Sequence, residues 1–356
     1  MRIHLPEERA VLEQVFERYG WVPLQVRPVE GVLRVQTEDG IFALKKSSCS
    51  ADRLAWLHKV METVHAKGQE IFLPWVNTSD GEPFVQTTDA VWYATPWVES
   101  DAGLRETVPI EELPTMLAHI HRSAFPVVGK QSEQKQVIDA ERLQVWKDKL
   151  EKLCEYREVM ESRTFRSPFD HAFAADAEYV DKALRFAVKG MEKFMQSDKG
   201  IAPRYTLCHG RIHPSNLLKK DDGWVWIDWD HAAVDSPVRD LGAFFRRFSQ
   251  RLDHEKEPQF YLTRYEERWK LSGKEKKLLA LYLAYPERPL RLLARYYEMP
   301  DRIEETIAIR RWEEEIAHLR WLQSLIRSLW PSKKGSGRKT RKTGVVLTRA
   351  KKVDTQ

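Results

Sequence analysis

The hydrophobic pattern of the chain shifts near residue 97 from mainly strand-like to mainly helical, and the shift narrows the architectures open to it. Before that point Val32–Thr37 alternates apolar and polar residues from Leu33 on, Asp39-Gly40 supplies a turn, and Ile41–Lys46 returns. This period of two marks a hairpin. Phe84–Thr87 and Ala90–Thr95, closed by Pro96, give a second one. Val11, Leu12, Val15, Phe16 and Tyr19 place an apolar stripe on a helix after Pro6. Another helix is expected over Ala51–Lys67, ended by Gly68 in the left-handed conformation. After Trp97 the spacing becomes helical: Leu113–Ser123, a charged helix marked by Leu143, Trp146, Leu150 and Leu153, then Ala175–Gln196. One hairpin interrupts, from Leu217–Lys219 through Asp222-Gly223 to Trp224–Ile227. Ser236 then caps a helix begun by Pro237, and helices continue to Trp330, where Pro331 stops them. The order predicts an α+β chain. A small antiparallel-sheet N-lobe spans 1–97, a mainly helical C-lobe spans 98–331, and a tail spans 332–356.

Charge confirms that the tail stands apart. The 356 residues hold 58 Lys+Arg and 53 Asp+Glu. The 25 residues from Ser332 hold nine bases and one acid, leaving 49 bases against 52 acids for the rest. The body is mildly acidic, and the tail, expected to be disordered, carries the whole positive excess. Such a tail suits an acidic partner for 333–352; nothing in it reads bases, so nucleic acid is not expected. No apolar run reaches the roughly 18 residues of a membrane span. Met1–Ala10 is charged, so no secretory signal is expected and synthesis is cytoplasmic. Cys49, Cys154 and Cys208 lack metal-site spacing and read as reduced thiols.

The chemistry lies in Leu207-Cys208-His209-Gly210-Arg211-Ile212-His213-Pro214-Ser215-Asn216 and in Trp226-Ile227-Asp228-Trp229-Asp230. Asn216 and Asp228 flank the hairpin, so strand pairing brings them near one another. An amide oxygen with a carboxylate is the hard-oxygen pair that Mg2+ prefers, and phosphoryl-transfer enzymes use such a pair.

These residues resemble the aminoglycoside phosphotransferase and choline kinase superfamily of the protein-kinase-like fold. Its catalytic loop reads His-Gly-Asp-x-x-x-x-Asn and its metal motif Ile-Asp-Phe/Trp. His209, Gly210, Asn216 and Ile227-Asp228-Trp229 match. Phe42-Ala43-Leu44-Lys45 looks like the strand bearing the nucleotide lysine, and Trp97-Val98-Glu99 like the hinge between lobes. Leu117-Ala118 with His121, and Arg239-Asp240-Leu241, resemble further elements of that fold. Within the superfamily the chain is most similar to the bacterial spore-coat kinase-like family of the CotS type, in the branch with YsxE-like and YutH-like members, YsxE-like ones first. The resemblance implies a spore-coat location, other coat proteins as partners, and ATP with Mg2+ as cofactors. Lys45, Glu62 and Trp97 would serve the nucleotide. Asn216 and Asp228 would serve the metal.

One position breaks the pattern. Arg211 stands where the family keeps the aspartate that takes the acceptor's proton. Such a base is worth about 10²–10⁴-fold in rate, and arginine cannot replace it. For a phosphate loop the first strands offer only Gly31, near Pro28-Val29-Glu30, with no glycine-rich cradle. Three readings stay open for Arg211: a pseudokinase acting in coat assembly, transfer through another base (Asp230 or His213), or an arginine turned away into a salt bridge. The alternative function is an active ATP-dependent phosphotransferase acting on a small hydroxyl acceptor. The remaining residues also have plain readings. His209 braces the loop rather than reacting. Asp230 shares a metal or caps the loop. Glu62 pairs with Lys45 or sits on a solvated helix face. Asp240 braces the loop from a helix N-terminal turn. Trp224 and Trp226 are core packing, and Trp97 is a pocket wall.

Overall fold

A computed structural model describes residues 6–68, 71–99, 108–128, 140–220 and 223–330. The expected tail, 332–356, lies outside the described residues. The N-terminal part runs α1 (Pro6–Tyr19), β1 (Gln25–Val29), β2 (Val32–Gln36), β3 (Ile41–Ser47), α2 (Ala51–His65), β4 (Val85–Gln86) and β5 (Val91–Pro96). Its strands form an antiparallel sheet of order β1-β2-β3-β5-β4. Both expected hairpins are present. Strand β1 was not foreseen; it contains Pro28 and lies at the edge of the sheet, where a missing N–H is tolerated. Glu30 and Gly31 turn β1 into β2 with φ of 48° and 91°. This is a two-residue hairpin turn rather than a loop that could enfold phosphates.

Alternation decides which layer each sheet residue joins. Leu33, Val35, Leu44, Trp92 and Ala94 pack under Leu12, Val15 and Phe16 of α1. On the other face Val91 and Tyr93 join Leu54, Leu57 and Met61 of α2 in a core that continues into the helical part. Gly68, at φ 75°, closes the turn after α2.

The helical part comprises α3 (Leu113–Val128), α4 (Ala140–Ser162), α5 (Pro168–Asp198), α6 (Val238–Arg247), α7 (Gln259–Glu266), α8 (Gly273–Ala284), α9 (Glu287–Glu298), α10 (Glu305–Trp321) and α11 (Gln323–Leu329). Between α5 and α6 lie β6 (Thr206–Cys208), β7 (Leu217–Lys220), β8 (Gly223–Trp226) and β9 (Ala233–Asp235). The hairpin β7–β8 was expected; the short ladder β6–β9 was not, because its strands are three residues long and 24 positions separate them. Helix α3 runs five residues beyond the expected Ser123, through Pro126. Helix α5 starts earlier than expected, behind a Ser167–Asp170 capping box. Ser236 does not cap α6: its buried hydroxyl has no partner among the described residues, and its own N–H donates to Asp235.

Helices α4, α5, α9 and α10 enclose a second apolar core in which Phe169, Phe173 and Trp312 are fully buried. Trp312 is its largest member, and its ring meets both phenylalanines edge-on. Replacing it (Trp312→Ala) is expected to lower unfolding free energy by about 3–5 kcal/mol, read from urea denaturation with the m-value unchanged.

Candidate functional site

Segment 207–230 is carried by the two short ladders. Strand β6 delivers His209 to the end of its pairing with β9, and β7–β8 delivers Asn216 and Asp228. The second ladder extends by one bond, Ile227 N–H to Asn216 C=O at 2.9 Å, so Asp228 follows directly on the residue paired with Asn216. Asp228 itself adopts φ 65°, ψ 57°, a left-handed conformation rare for a residue other than glycine.

Behind this segment lies buried Asp240, at the start of α6. Its carboxylate accepts the backbone N–H of His209 at 2.6 Å and of Gly210 at 3.1 Å, and meets His121 Nε2 at 3.2 Å. His121 Nδ1 is in turn 2.9 Å from the Tyr265 hydroxyl. Cys208 lies close by, but His121, Cys208 and Asp240 are each engaged in hydrogen bonds. His209 sits between Trp226 and Trp229, with Nε2 2.9 Å from the Ile227 carbonyl. That contact links the loop to the residue before Asp228. Gly210 is obligatory: its φ is 77°, and an added Cβ would lie 2.3 Å from the His231 carbonyl oxygen.

The front of the site is a chain of opposite charges. Lys45 pairs with Asp228 Oδ1 and reaches Asp230 Oδ1 at 3.2 Å. Arg211 donates to the other oxygen of Asp228, Oδ2, at 3.0 Å. Arg211 therefore turns toward Asp228, not away. Burial would raise the Asp228 pKa, but Lys45, Arg211 and His209 outweigh it and hold the carboxyl below its ordinary range. Lys45 is the inward lysine, as the period of two requires; Lys46 points oppositely, its ammonium 5.7 Å from the Trp92 ring centre.

Asp230 faces the sheet. It accepts from Tyr93 OH at 2.9 Å and Ser47 Oγ at 2.8 Å, and its carbonyl accepts from Arg53 and Cys49. With both carboxylate oxygens and its carbonyl hydrogen-bonded to the sheet half, it fastens the two halves of the molecule. Two other expectations also need correction. Glu62 is exposed and lies 3.6 Å from His58, one turn back; the partners of Lys45 are Asp228 and Asp230. One face of the Trp97 ring lies under the Arg34 guanidinium at 5.5 Å, which in turn pairs with Glu99, so only the opposite face is left to line a pocket. Ser47, Tyr93 and Arg53 were not foreseen. Ser47 shares a strand face with Lys45, a signal available in the sequence; Tyr93 is the cross-strand partner of Lys45, which only the register reveals.

The donor set suits a divalent cation poorly. Each oxygen of Asp228 already meets a cation of the chain. The Asn216 amide donates to the Arg211 carbonyl at 3.0 Å, and its oxygen lies 3.4 Å from the Ser215 hydroxyl. A metal on this pair would have to displace Arg211.

With this geometry in view, the comparisons are informative. The family described as "Spore coat putative kinase YutH" matches residues 12–328. Among curated proteins none matches in sequence. An aminoglycoside phosphotransferase from Alicyclobacillus acidocaldarius superposes with a TM-score of 0.72 at 16% identity, covering 92% of this chain and 96% of its own. Spectinomycin phosphotransferase APH(9)-Ia bound to AMP gives 0.56 at 15% identity, covering 92% and 99%. The same enzyme with ADP and spectinomycin gives 0.52 at 17%, covering 91% and 97%. At these identities the likeness establishes the two-lobe kinase-like fold.

Acid should loosen this site in two stages. Burial pushes the His209 pKa below its ordinary value, so its contribution is present above about pH 6.5 and is lost as pH falls from there toward the depressed folded value. The Asp240 pKa is also lowered: burial would raise it, but His121, His209 and the Gly210 N–H prevail. Its contribution holds above the ordinary carboxylate range and is lost below it. Thermal melts from neutral to acidic pH are expected to show falling stability across both windows. Asp240→Asn should cost about 2–3 kcal/mol at neutral pH and flatten the lower window.

Proposed function

Since the chain belongs to the YutH spore-coat family of kinase-like proteins, we propose that it holds an adenine nucleotide without passing its phosphate on, and acts in assembly of the spore coat. The observation that carries this reading is Arg211, 3.0 Å from Asp228 Oδ2 at the place of the catalytic carboxylate. A guanidinium takes no proton at physiological pH, and Asp230 is turned toward Ser47, Tyr93 and Lys45 of the sheet half. An acceptor hydroxyl finds no base at the Arg211 position.

Nucleotide binding is supported by what remains. The related spectinomycin phosphotransferase is known bound to AMP and to ADP, and Lys45 keeps the position of the nucleotide lysine. In this reading Lys45 and Arg211 together supply the positive charge that phosphates need, so binding does not depend on Mg2+. The Arg211 side chain is 58% exposed, and exposed ion pairs are worth only about 0–1 kcal/mol, so Arg211 can leave Asp228 for a phosphate at little cost. Lacking transfer, the protein would work through its surface, with other coat proteins as partners and the basic segment 333–352 meeting an acidic one. The rival reading is ATP-dependent transfer to a small hydroxyl acceptor, and it draws on the retained Lys45, Asn216 and Asp228.

Thermal stabilisation by ATP measured with chelator present is expected for the unmodified chain and lost in Lys45→Ala. Arg211→Asp should bind only when Mg2+ is supplied. Absence of any shift, with or without Mg2+, would overturn the nucleotide reading. Steady formation of ADP or transfer to an acceptor by the unmodified chain would overturn the pseudokinase one.

A further inference from the structure

The helical part holds a concave feature that shares no residue with the Lys45–Asp228 site. A cavity of about 820 Å3 opens between α9, the turn Pro300–Arg302 and α10, and Arg288, Arg291, Arg295, Arg302 and Arg311 line it. The first three stand at i, i+3 and i+7 on α9. At 1.5 Å per residue they form a row about 10 Å long on one side of the helix.

The cluster is built rather than incidental. Arg288 is held by the Ser249 hydroxyl at 2.6 Å, the Arg246 carbonyl at 2.9 Å and Glu315 at 2.7 Å. Arg295 donates twice to the Arg302 carbonyl, at 3.2 and 2.6 Å, which ties the closing turn to the helix. Arg291 has Glu287 at 3.5 Å. Among the described residues no carboxylate lies within 4.0 Å of the Arg295, Arg302 or Arg311 guanidinium. Glu315 also lines the cavity and interacts with Arg291 and Arg311 as well as Arg288, but one carboxylate among five guanidinium groups leaves an excess of positive charge, which an anionic ligand relieves. Guanidinium groups favour carboxylates and phosphates, which they grip with two parallel bonds.

The apolar part of the lining separates these two ligands. Leu292, Ala294 and Met299 share the cavity with the arginines, and Met299 is 48% exposed. A chain of phosphates gains nothing from that surface, whereas a peptide with an apolar side chain among its acids uses both. We propose that this groove binds an acidic peptide segment of a partner protein, several Asp or Glu residues with an apolar residue between them. The proposal does not depend on nucleotide binding.

Fluorescence anisotropy of the full chain with a fluorescein-labelled peptide of glutamates and leucines tests it. Saturable binding that weakens with salt is expected, and the combined variant Arg295→Glu, Arg302→Glu, Arg311→Glu should raise Kd by at least about tenfold. The basic tail is present in every sample, so a control reversing exposed Lys59, Lys67 and Lys193 should leave Kd unchanged. Circular dichroism checks that both variants stay folded. Equal Kd values in groove and control variants would overturn the proposal and assign the binding to the tail. Tripolyphosphate binding that the groove variant abolishes, with no peptide binding, would overturn it in favour of a phosphate ligand.

Discussion

Beside the apolar core they share, one buried carboxylate ties the two halves of the molecule together. Asp230 takes hydrogen bonds from Ser47 on β3 and Tyr93 on β5, while its carbonyl takes Arg53 at the start of α2. Each donor comes from a different part of the sheet half, so the loop after β8 is located relative to the whole sheet. Lys45 then has little freedom: it stands beside Tyr93 in the register and reaches both Asp228 and Asp230. The cleft geometry follows from this attachment. The same buried acceptor explains why the second carboxylate of an Asp-x-Asp sequence can be structural while the first faces the cleft.

Much of this was readable from the residues. Alternation from Leu33 on, the Asp39-Gly40 turn and the change of period near residue 97 gave the sheet half and the helical half. The His209-Gly210 loop and the Asn216–Asp228 hairpin gave the cleft, because the relevant pairing is local. What could not be read depends on distance in the chain. Asp230 meets residues about 140 to 180 positions earlier. The ladder β6–β9 joins three-residue strands too short to carry a period. Glu62 was a fair candidate because it is an acid within the helix after Lys45, but it faces solvent.

The positive charge divides in a way that composition alone hides. Overall excess belongs to the tail, yet the two basic features with structural consequences lie in the mildly acidic body. Arg211 is one cation set against one carboxylate, and the exposed pair is loosely held. The α9–α10 arginines are the reverse, several cations with too few acids. In sequence they look like an ordinary solvated helix face, and only the return of α10 beside α9 turns them into the walls of a groove.

The sheet edges add a last constraint. At one edge Pro28 removes a donor from β1, and at the other β4 is only two residues long. Both features disfavour pairing of these edges with a strand from another chain, the usual route by which exposed sheets polymerise. A protein with such blunted edges can be packed densely among others without fusing into fibrils, and its associations must then be chosen by side chains.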